Sequence, residues 1–373
     1  MSEVPNILDP LPPSEVPPSR PAPSAPPSRR GAAGRRAQLR LQSVAIAVVA
    51  ALAMLHFARP QRPLLSAPLA LDVMRGVDAP RTPFARIVAS AVERGVRLRM
   101  RFALPGDSVA VPLALTDDAA AFRYLWLRVA DSSQVEATRP LAGTGELMAP
   151  GEPGFYRLAL DRHGDRRIVD GVVLSVLVPF SEKQGATLRG FRLGSYVGER
   201  LGGAARRALP EGFFPVDSAA LSLRVSDHLT LRDILTTPDV PSLGFPQYAT
   251  LDLRLVEKLE LVLREVERLS GANATAPHLT INSGFRPPSY NRTVRGAAPD
   301  SRHQYGDAAD VRIDLDGDGR FSLAEARRVA KAVDAVERSH PELAGGLGLY
   351  TSRRYRSPYV HIDARGSRAR WTG

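Results

Sequence analysis

The sequence contains no cysteine, and this absence excludes several kinds of protein at once. A chain of 373 residues without cysteine has no disulfide framework, no cysteine-ligated zinc ribbon and no thiol nucleophile. Any metal ion must therefore be held by histidine and carboxylate side chains. Large apolar side chains are also nearly missing from residues 1–40, which are rich in proline, serine and alanine. We expect this tail to be disordered, because it cannot bury enough apolar surface to offset the entropy of ordering.

Charged residues are absent from Leu41 to Ala58, a run of 18 residues. As a helix this run would span about 27 Å, just enough for the core of a bilayer. Arginines flank it on both sides, at Arg29, Arg30, Arg35, Arg36 and Arg40 before it and at Arg59 and Arg62 after it. The larger number of arginines before the run than after it predicts a transmembrane anchor with its N-terminus in the cytoplasm. A cleaved signal peptide and a buried soluble helix are the alternatives.

The rest of the chain has the composition of a globular protein, with a hydrophobic fraction of 44%. The net charge of +11 indicates an anionic partner, such as lipid headgroups, an acidic wall polymer or nucleic acid. We expect no nucleic acid partner, because the arginines are scattered and most of the chain is predicted to be exported. The predicted divisions are a tail (1–40), the anchor (41–58), a linker (59–84), a β domain (85–182), a connecting segment (183–222) and a C-terminal domain (223–373).

Secondary structure signals differ between the two predicted domains. Short runs rich in valine, leucine and aromatic residues, separated by Gly, Asp and Pro turns, predict a small antiparallel β-sandwich in the first. That region has no cluster of histidines or carboxylates, so we expect a spacer or binding role. In the second, helical spacing predicts helices over 251–269 and 323–338, with a strand over 278–282 between them. The C-terminal domain is therefore predicted to have an α+β fold.

The densest pattern of metal-binding residue types lies in the C-terminal domain. Ser301, His303, Gly306, Ala308 and Asp310 form S-x-H-x-x-G-x-A-x-D, and a second histidine, His361, lies in YVHIDARG. A catalytic zinc needs three nitrogen or oxygen ligands from the protein and one open position. His303, Asp310 and His361 supply these ligands, and the small residues let the loop turn tightly enough for convergence. The pattern predicts a zinc site.

Together with INSGFRPPSYN, GGLGLY and VHIDARGSRARW, this motif resembles the zinc D-Ala-D-Ala peptidase family of peptidoglycan hydrolases, and it looks most like the murein endopeptidase K-like branch. The resemblance covers roughly the last 150 residues. It implies a small α+β domain with the metal on a central antiparallel sheet, and the peptide part of the bacterial cell wall as substrate. It also implies that His303, Asp310 and His361 bind zinc and that Arg286 is a substrate-facing cation. A buried ion-pair role is the alternative for Arg286.

The sequence departs from the family pattern at the general base. Many relatives place an acidic residue three positions before the last ligand, where this chain has Pro358. If VHID is a strand, Tyr359, His361 and Asp363 share one face. Asp363 is then the candidate base and Tyr359 a candidate transition-state donor. The alternative is that Asp363 only orients a zinc ligand.

Residues 314–325, which follow the zinc motif, match the twelve-residue spacing of an EF-hand calcium loop. The predicted calcium-site residues are Asp314, Asp316, Asp318, Arg320 and Glu325. Gly319 permits the sharp turn and Phe321 anchors the loop. Bound calcium would stiffen the end of the strand that presents Asp310. The alternative is an acidic turn that caps the following helix.

These patterns predict a zinc peptidase anchored in the bacterial inner membrane, with its C-terminal domains in the periplasm or outside the cell, that cleaves peptide bonds of peptidoglycan. The alternative is a catalytically inactive wall-binding or scaffold protein with the same fold, which Pro358 leaves open. Whether a D,D cross-link, an L,D cross-link or a terminal D-Ala is cut is not decided by these patterns. The remaining histidines are assigned structural or packing roles: His56, His163, His228, His278 and His340.

Overall fold

The structure is a computed structural model that describes residues 88–89, 91–93, 95–111, 113–114, 119–141, 146–201, 207–235, 247–271, 277–351 and 358–373. All of these lie in Asp78–Gly373, the second of two compact units of the chain. The predicted tail, anchor and linker lie outside the described residues. Within the described ranges, no helix has the length and apolar character needed to cross a bilayer.

The first part of the described chain consists mainly of strands. The strands are β1 (Val88–Ala89), β2 (Ala91–Glu93), β3 (Val96–Leu98), β4 (Met100–Ala103), β5 (Ser108–Ala110), β6 (Leu113–Ala114), β7 (Arg123–Arg128), β8 (Arg139–Pro140), β9 (Glu146–Met148), β10 (Gly154–Arg162), β11 (Asp165–Val176) and β12 (Val178–Pro179). A five-stranded sheet has the order β4-β11-β10-β7-β8, and three two-stranded ribbons pair β1 with β6, β2 with β3 and β5 with β9. Only the β4–β11 pair of the five-stranded sheet is parallel.

The long hairpin of this sheet turns at His163 and Gly164. Both residues have positive φ angles, of 51° and 91°. The flanking residues Arg162 and Asp165 are paired across the hairpin. Two central residues with positive φ make a turn whose twist matches that of the strands. His163 thus lies at a hairpin turn, away from any metal cluster found among the described residues.

The two largest hydrophobic cores among the described residues use different faces of the five-stranded sheet. On β10, Tyr156 belongs to the smaller core and its neighbour Phe155 to the larger one, because successive side chains of a strand point to opposite faces. The smaller core also contains Val109 of β5 and Leu147 of β9, so this ribbon packs on the sheet in a sandwich-like way. The larger core runs from Val96 of β3 into the C-terminal region.

The connecting segment contains little regular structure and packs against the C-terminal region. Its elements, with those that follow, are α1 (Val197–Leu201), β13 (Gly212–Pro215), α2 (Leu231–Leu235) and β14 (Tyr248–Ala249). β12, β13 and β14 form a three-stranded antiparallel sheet. At Gly194 a Cβ atom would lie 2.3 Å from the backbone nitrogen of Ser289, so the two backbones touch and leave no room for a side chain.

The predicted helices of the C-terminal region are confirmed within a few residues. The helices are α3 (Leu253–Ser270), α4 (Pro288–Asn291) and α5 (Leu323–Ser339). Asp252 caps the start of α3 by accepting a hydrogen bond from the backbone of Arg254, and Gly271, with φ 83°, ends it. Ser322 and Glu325 form a capping box at the start of α5. These caps are local, and the sequence therefore predicts the helix ends well.

A five-stranded sheet forms the base of the C-terminal region. Its strands are β15 (His278–Ser283), β16 (Ala308–Asp314), β17 (Gly346–Tyr350), β18 (Tyr359–Asp363) and β19 (Ala369–Thr372), in the order β15-β16-β18-β17-β19. All neighbours are antiparallel except β17 and β19. Val311 and Val360 pack into the larger core with residues of α3 and α5. Asp310 and His361, one position along each strand, therefore point to the opposite face.

Candidate metal centre

Three predicted zinc ligands converge on one point of the sheet. His303 Nε2 lies 3.3 Å from Asp310 Oδ1 and 3.2 Å from His361 Nδ1, and the Asp310 and His361 atoms are 2.9 Å apart. All three side chains are buried. Ligand atoms bound tetrahedrally at about 2.0–2.1 Å from zinc lie about 3.3–3.4 Å apart. The triangle therefore has nearly the dimensions of one face of a zinc tetrahedron, and the donor set fits this metal.

Strand pairing and one tight turn bring these ligands together. Asp310 of β16 and His361 of β18 are direct cross-strand partners. His303 lies in a short 3-10 turn, Arg302–Tyr305, immediately before β16. Gly306 ends that turn in the left-handed region, with φ 69°, and a Cβ atom there would lie 2.2 Å from the carbonyl oxygen of Thr250. Glycine is required at this position both for its conformation and for the close backbone approach.

The ring atoms that do not face the triangle have partners of their own. His303 Nδ1 is 2.7 Å from the carbonyl oxygen of Gly284, and His361 Nε2 is 3.2 Å from Asp363 Oδ2. A carbonyl oxygen only accepts, so His303 carries its proton on Nδ1 and offers the lone pair of Nε2. His361 likewise donates from Nε2 to Asp363, so Nδ1 is the atom that faces the triangle. Such partners are usual behind metal-binding histidines.

The electrostatics of the triangle favour a neutral His303 and an ionised Asp310. Burial lowers the pKa of His303, and the positive charge of Arg286 lowers it further. Burial alone would raise the pKa of Asp310, but the two histidines outweigh it and hold that pKa well below its usual range. For His361, hydrogen bonds to Asp310 and Asp363 outweigh burial and raise the pKa. Asp310 is therefore an anion and His303 neutral near pH 7.

Arg286 contacts Asp310, one of the predicted zinc ligands, directly. Its side chain is 10% exposed, and its Nη2 donates to Asp310 Oδ2 at 2.6 Å. Its Nε donates to Ser283 Oγ at 2.7 Å. The same guanidinium lines the cleft above the triangle. These contacts match the ion-pair alternative, and the residue also lines the cleft.

Asp363 is fully enclosed behind His361. Its carboxylate accepts hydrogen bonds from the backbone nitrogens of Gly346, at 2.8 Å, and Arg365, at 3.1 Å. The Arg365 guanidinium adds a bidentate contact, with distances from 2.5 to 3.0 Å. Burial would raise the pKa of Asp363, but hydrogen bonds from His361 and Arg365 outweigh it and lower the pKa far below its usual range. Asp363 is not among the described residues that line the cleft.

An aromatic wall stands beside the triangle. The rings of Tyr350 and Tyr359 stack with centroids 4.5 Å apart and planes inclined by 8°. Trp371 Nε1 donates to the Tyr350 hydroxyl at 2.9 Å, and the Trp371 ring centroid is 5.3 Å from that of His361. All three aromatic residues line the cleft. Of them, only Tyr359 was singled out by the sequence patterns, although Tyr350 and Trp371 lie in the quoted motifs.

The cleft over the metal centre has a volume of about 990 Å³ and is mainly cationic. Five arginines line it, namely Arg207, Arg286, Arg295, Arg302 and Arg365, against two aspartates, Asp300 and Asp310. The sequence patterns identified only Arg286 among these arginines. Arg207 is nearly a hundred positions from the zinc motif in the chain, so no local signal could link it to the site.

The predicted calcium loop folds into a compact acidic turn. Asp314 accepts hydrogen bonds from the backbone nitrogens of Gly317 and Gly319, and Asp318 accepts one from Arg320. Ligand oxygens of Asp314, Asp316 and Glu325 lie within 4.8 Å of one another. Both Glu325 oxygens also accept backbone hydrogen bonds, from Leu315 at 2.8 Å and Ser322 at 2.6 Å. These bonds match the helix-capping alternative as well.

The remaining described histidines lie apart from the metal triangle. His228 contacts Glu260, with Nδ1 2.7 Å from Oε2, and its backbone nitrogen donates to the other carboxylate oxygen. His340 follows the last turn of α5, and His278 begins β15. None of these three histidines belongs to a metal cluster found among the described residues. His56 lies outside the described residues.

Comparison with known proteins supports the predicted family. A family model described as Peptidase M15 matches residues 228–342. The matched span contains Arg286, His303 and Asp310 and ends before His361. The match supports the resemblance to the zinc D-Ala-D-Ala peptidases of family M15, which are zinc-dependent hydrolases. A search of curated proteins finds no match to the chain.

Proposed function

We propose that the chain is a zinc-dependent peptidase that cleaves peptide bonds in peptidoglycan stem peptides or cross-links. The observation that carries the proposal is the triangle of His303, Asp310 and His361, whose three ligand atoms are spaced for one tetrahedral zinc. The Peptidase M15 match supports the reaction class. Within that family, the motifs quoted above favour the murein endopeptidase K-like branch.

The residues of the triangle would hold zinc through two imidazole nitrogens and one carboxylate oxygen. When bound, zinc supplies a Lewis acid that polarises a peptide carbonyl and generates a water nucleophile near neutral pH. The Gly284 carbonyl and the Asp363 carboxylate orient the two rings. Arg286 holds the second oxygen of Asp310 and so keeps the first directed at the triangle.

We assign Asp363 the role of positioning His361 and not that of a general base. Its oxygens accept hydrogen bonds from the backbone nitrogens of Gly346 and Arg365, from the Arg365 guanidinium and from His361 Nε2. The contact with His361 is on the far side of the ring from Nδ1. A base must reach the proton it removes, directly or through one water. Tyr359 lines the cleft and remains our proposed transition-state donor.

Peptidoglycan suits the charge of the cleft. Five arginines and two aspartates line it, and stem peptides carry free carboxylates that guanidinium groups bind in bidentate fashion. We further propose that the enzyme is held at the inner membrane by residues 41–58, with the peptidase domain on the outer side. The uncharged run and the arginines before it support this location.

Calcium is proposed as a second metal, held by Asp314, Asp316, Asp318, Glu325 and the carbonyl of Arg320. The support is the twelve-residue spacing and the close approach of three acidic side chains. Oxygen ligands of this kind suit a hard cation. The site would stiffen the end of β16, four residues beyond Asp310.

A non-catalytic wall-binding protein is the second candidate function. The observation that favours it is the lack of a base at Pro358, combined with the enclosure of Asp363. Such a protein would bind zinc and peptidoglycan and release no fragments. The two candidates therefore differ in turnover and agree in metal content.

The deciding experiment incubates the full-length, detergent-solubilised protein with intact peptidoglycan and identifies released fragments by mass spectrometry. We expect the release of fragments to depend on zinc, and we expect no fragments from a His361→Ala variant. The masses also tell which bond is cut. Zinc at one equivalent with no released fragment would reject the peptidase and support the wall-binding protein.

A further inference from the structure

Two arginines on one side of the cleft have no part in the proposed zinc chemistry. Arg207 and Arg302, here called the arginine pair, line the cleft over the metal triangle. The same two residues line an adjoining cavity of about 590 Å³. The arginine pair therefore stands where the two spaces meet.

Tyr305 sets the positions of both arginines. The guanidinium carbons of Arg207 and Arg302 lie 5.7 Å and 5.8 Å from the centroid of its ring. The Tyr305 hydroxyl in turn donates to Asp300 Oδ1 at 2.7 Å. Cation–π contacts of this kind hold planar guanidinium groups in place. The pair is thus fixed before any ligand arrives, which limits the entropy lost on binding.

Each arginine has a carboxylate partner and still has donors to spare. Arg207 Nη1 pairs with Asp300 Oδ2 at 2.7 Å, and Arg302 Nη2 pairs with Asp307. A guanidinium carries five N–H donors. Arg302 Nε is buried without a hydrogen-bond partner, and in the described part of the chain no hydrogen bond is found for Nε or Nη2 of Arg207. The aspartates therefore leave several donors for a further acceptor.

The positive charges of the pair also repel one another. Both guanidinium groups contact the one ring of Tyr305 and stay protonated near pH 7, so their charges lie close together. An anion placed between the two groups would relieve the repulsion.

We infer that Arg207 and Arg302 form a subsite for a carboxylate of the peptide substrate, separate from the Arg286 contact at the metal centre. This inference rests on the proposed peptidase function. A carboxylate is the matching ligand because it accepts two parallel hydrogen bonds from a guanidinium, and because it is the anionic group of a peptide. Since Arg302 directly precedes His303, a carboxylate bound there would fix the substrate close to the scissile bond.

The test uses two stem-peptide fragments that are identical except that one has free carboxylates and the other has them amidated. The full-length zinc-loaded protein should show a kcat/KM about 10-fold to 100-fold higher for the free fragment, the usual effect of one charged hydrogen-bonded contact. In Arg207→Gln this ratio should fall toward one, through a higher KM for the free fragment. The matched control is Arg254→Gln, since Arg254 lines only the adjoining cavity and pairs with Asp252.

Calorimetric binding of the two fragments to the same variants separates the failure of this inference from that of the proposed function. If the wild type cuts neither fragment, the peptidase proposal fails, and the binding preference alone decides the subsite. A binding preference for the free fragment that is lost in Arg207→Gln and kept in Arg254→Gln supports the carboxylate subsite. A preference that survives Arg207→Gln, or that the wild type never shows, overturns it.

Discussion

Asp363 approaches Nε2 of His361 at 3.2 Å, while Nδ1 of the same ring faces Asp310 at 2.9 Å. One imidazole thus joins a carboxylate at the end of the same strand, β18, to a carboxylate in the proposed metal centre. The hydrogen bond from Nε2 fixes which nitrogen is free to bind a metal.

His303→Ala and His361→Ala should each abolish stable zinc binding and turnover, because two remaining ligands hold a hydrolytic zinc only weakly. Zinc content is measured by elemental analysis after dialysis. His278→Ala is the matched control, since this exposed histidine at the start of β15 lies outside the metal triangle. Full zinc occupancy in either ligand variant would contradict the assignment.

Asp363→Asn should weaken zinc binding by about 10-fold to 100-fold, the usual effect of losing a carboxylate behind a metal-bound histidine. Competition with a zinc chelator measures the affinity, and kcat is then measured at saturating zinc. Asp334→Asn is the control, because Asp334 pairs with Arg368 and Arg370 away from the triangle. Unchanged zinc affinity together with a lost kcat would instead make Asp363 the base.

Gly306→Ala should destabilise the fold by about 1–3 kcal/mol more than Gly106→Ala, the usual effect of forcing an extra group into a packed space. Both glycines have positive φ, but only Gly306 would place its Cβ against a neighbour, the Thr250 carbonyl at 2.2 Å. Denaturant unfolding of the full-length protein measures the difference. An equal loss in the free energy of unfolding for the two variants would mean that only the backbone angle matters at Gly306.

Calcium at a hundredfold excess over its dissociation constant should stabilise the protein by about 2.7 kcal/mol and raise its melting temperature. Asp316→Ala should remove the gain while zinc stays bound. Ser322→Ala is the control, because it breaks the capping box and leaves the acidic side chains intact. A melting temperature that is the same with calcium and with a calcium-selective chelator would leave the loop as a helix cap.

Lys258→Met should destabilise the fold by about 1–3 kcal/mol, because it removes one charged partner of the buried Glu337, which keeps Arg370 and the backbone of Gly345. The Lys258 ammonium is fully buried and donates to Glu337 Oε1 and to the Asp363 carbonyl, both at 2.7 Å. Lys331→Met on the exposed side of α5 should cost no more than about 0.5 kcal/mol. A similar stability of the two variants in urea would show that the buried pair contributes little.

The helices and the convergence of His303 with Asp310 could be predicted because their signals are local. Asp252 and Gly271 bracket α3 within its own stretch of chain, and the predicted helix over 251–269 differs from Leu253–Ser270 by two residues or fewer at each end. His303 and Asp310 lie in one short motif, and Gly306 between them is required for the left-handed turn and the close backbone approach. For these features, the spacing of residue types along the chain carries the information.

The contacts that decide residue roles depend on segments far apart in the chain. Asp363 meets the backbone of Gly346 on the neighbouring strand, 17 positions away, and Arg207 reaches Asp300 and Tyr305 across nearly a hundred positions. Composition and periodicity predict which face of a strand is buried, yet they do not predict which segments pack together. Metal-binding residue types were therefore readable from the sequence, whereas the enclosure of Asp363 and the arginine pair at the cleft arise only when the sheet and the connecting segment come together.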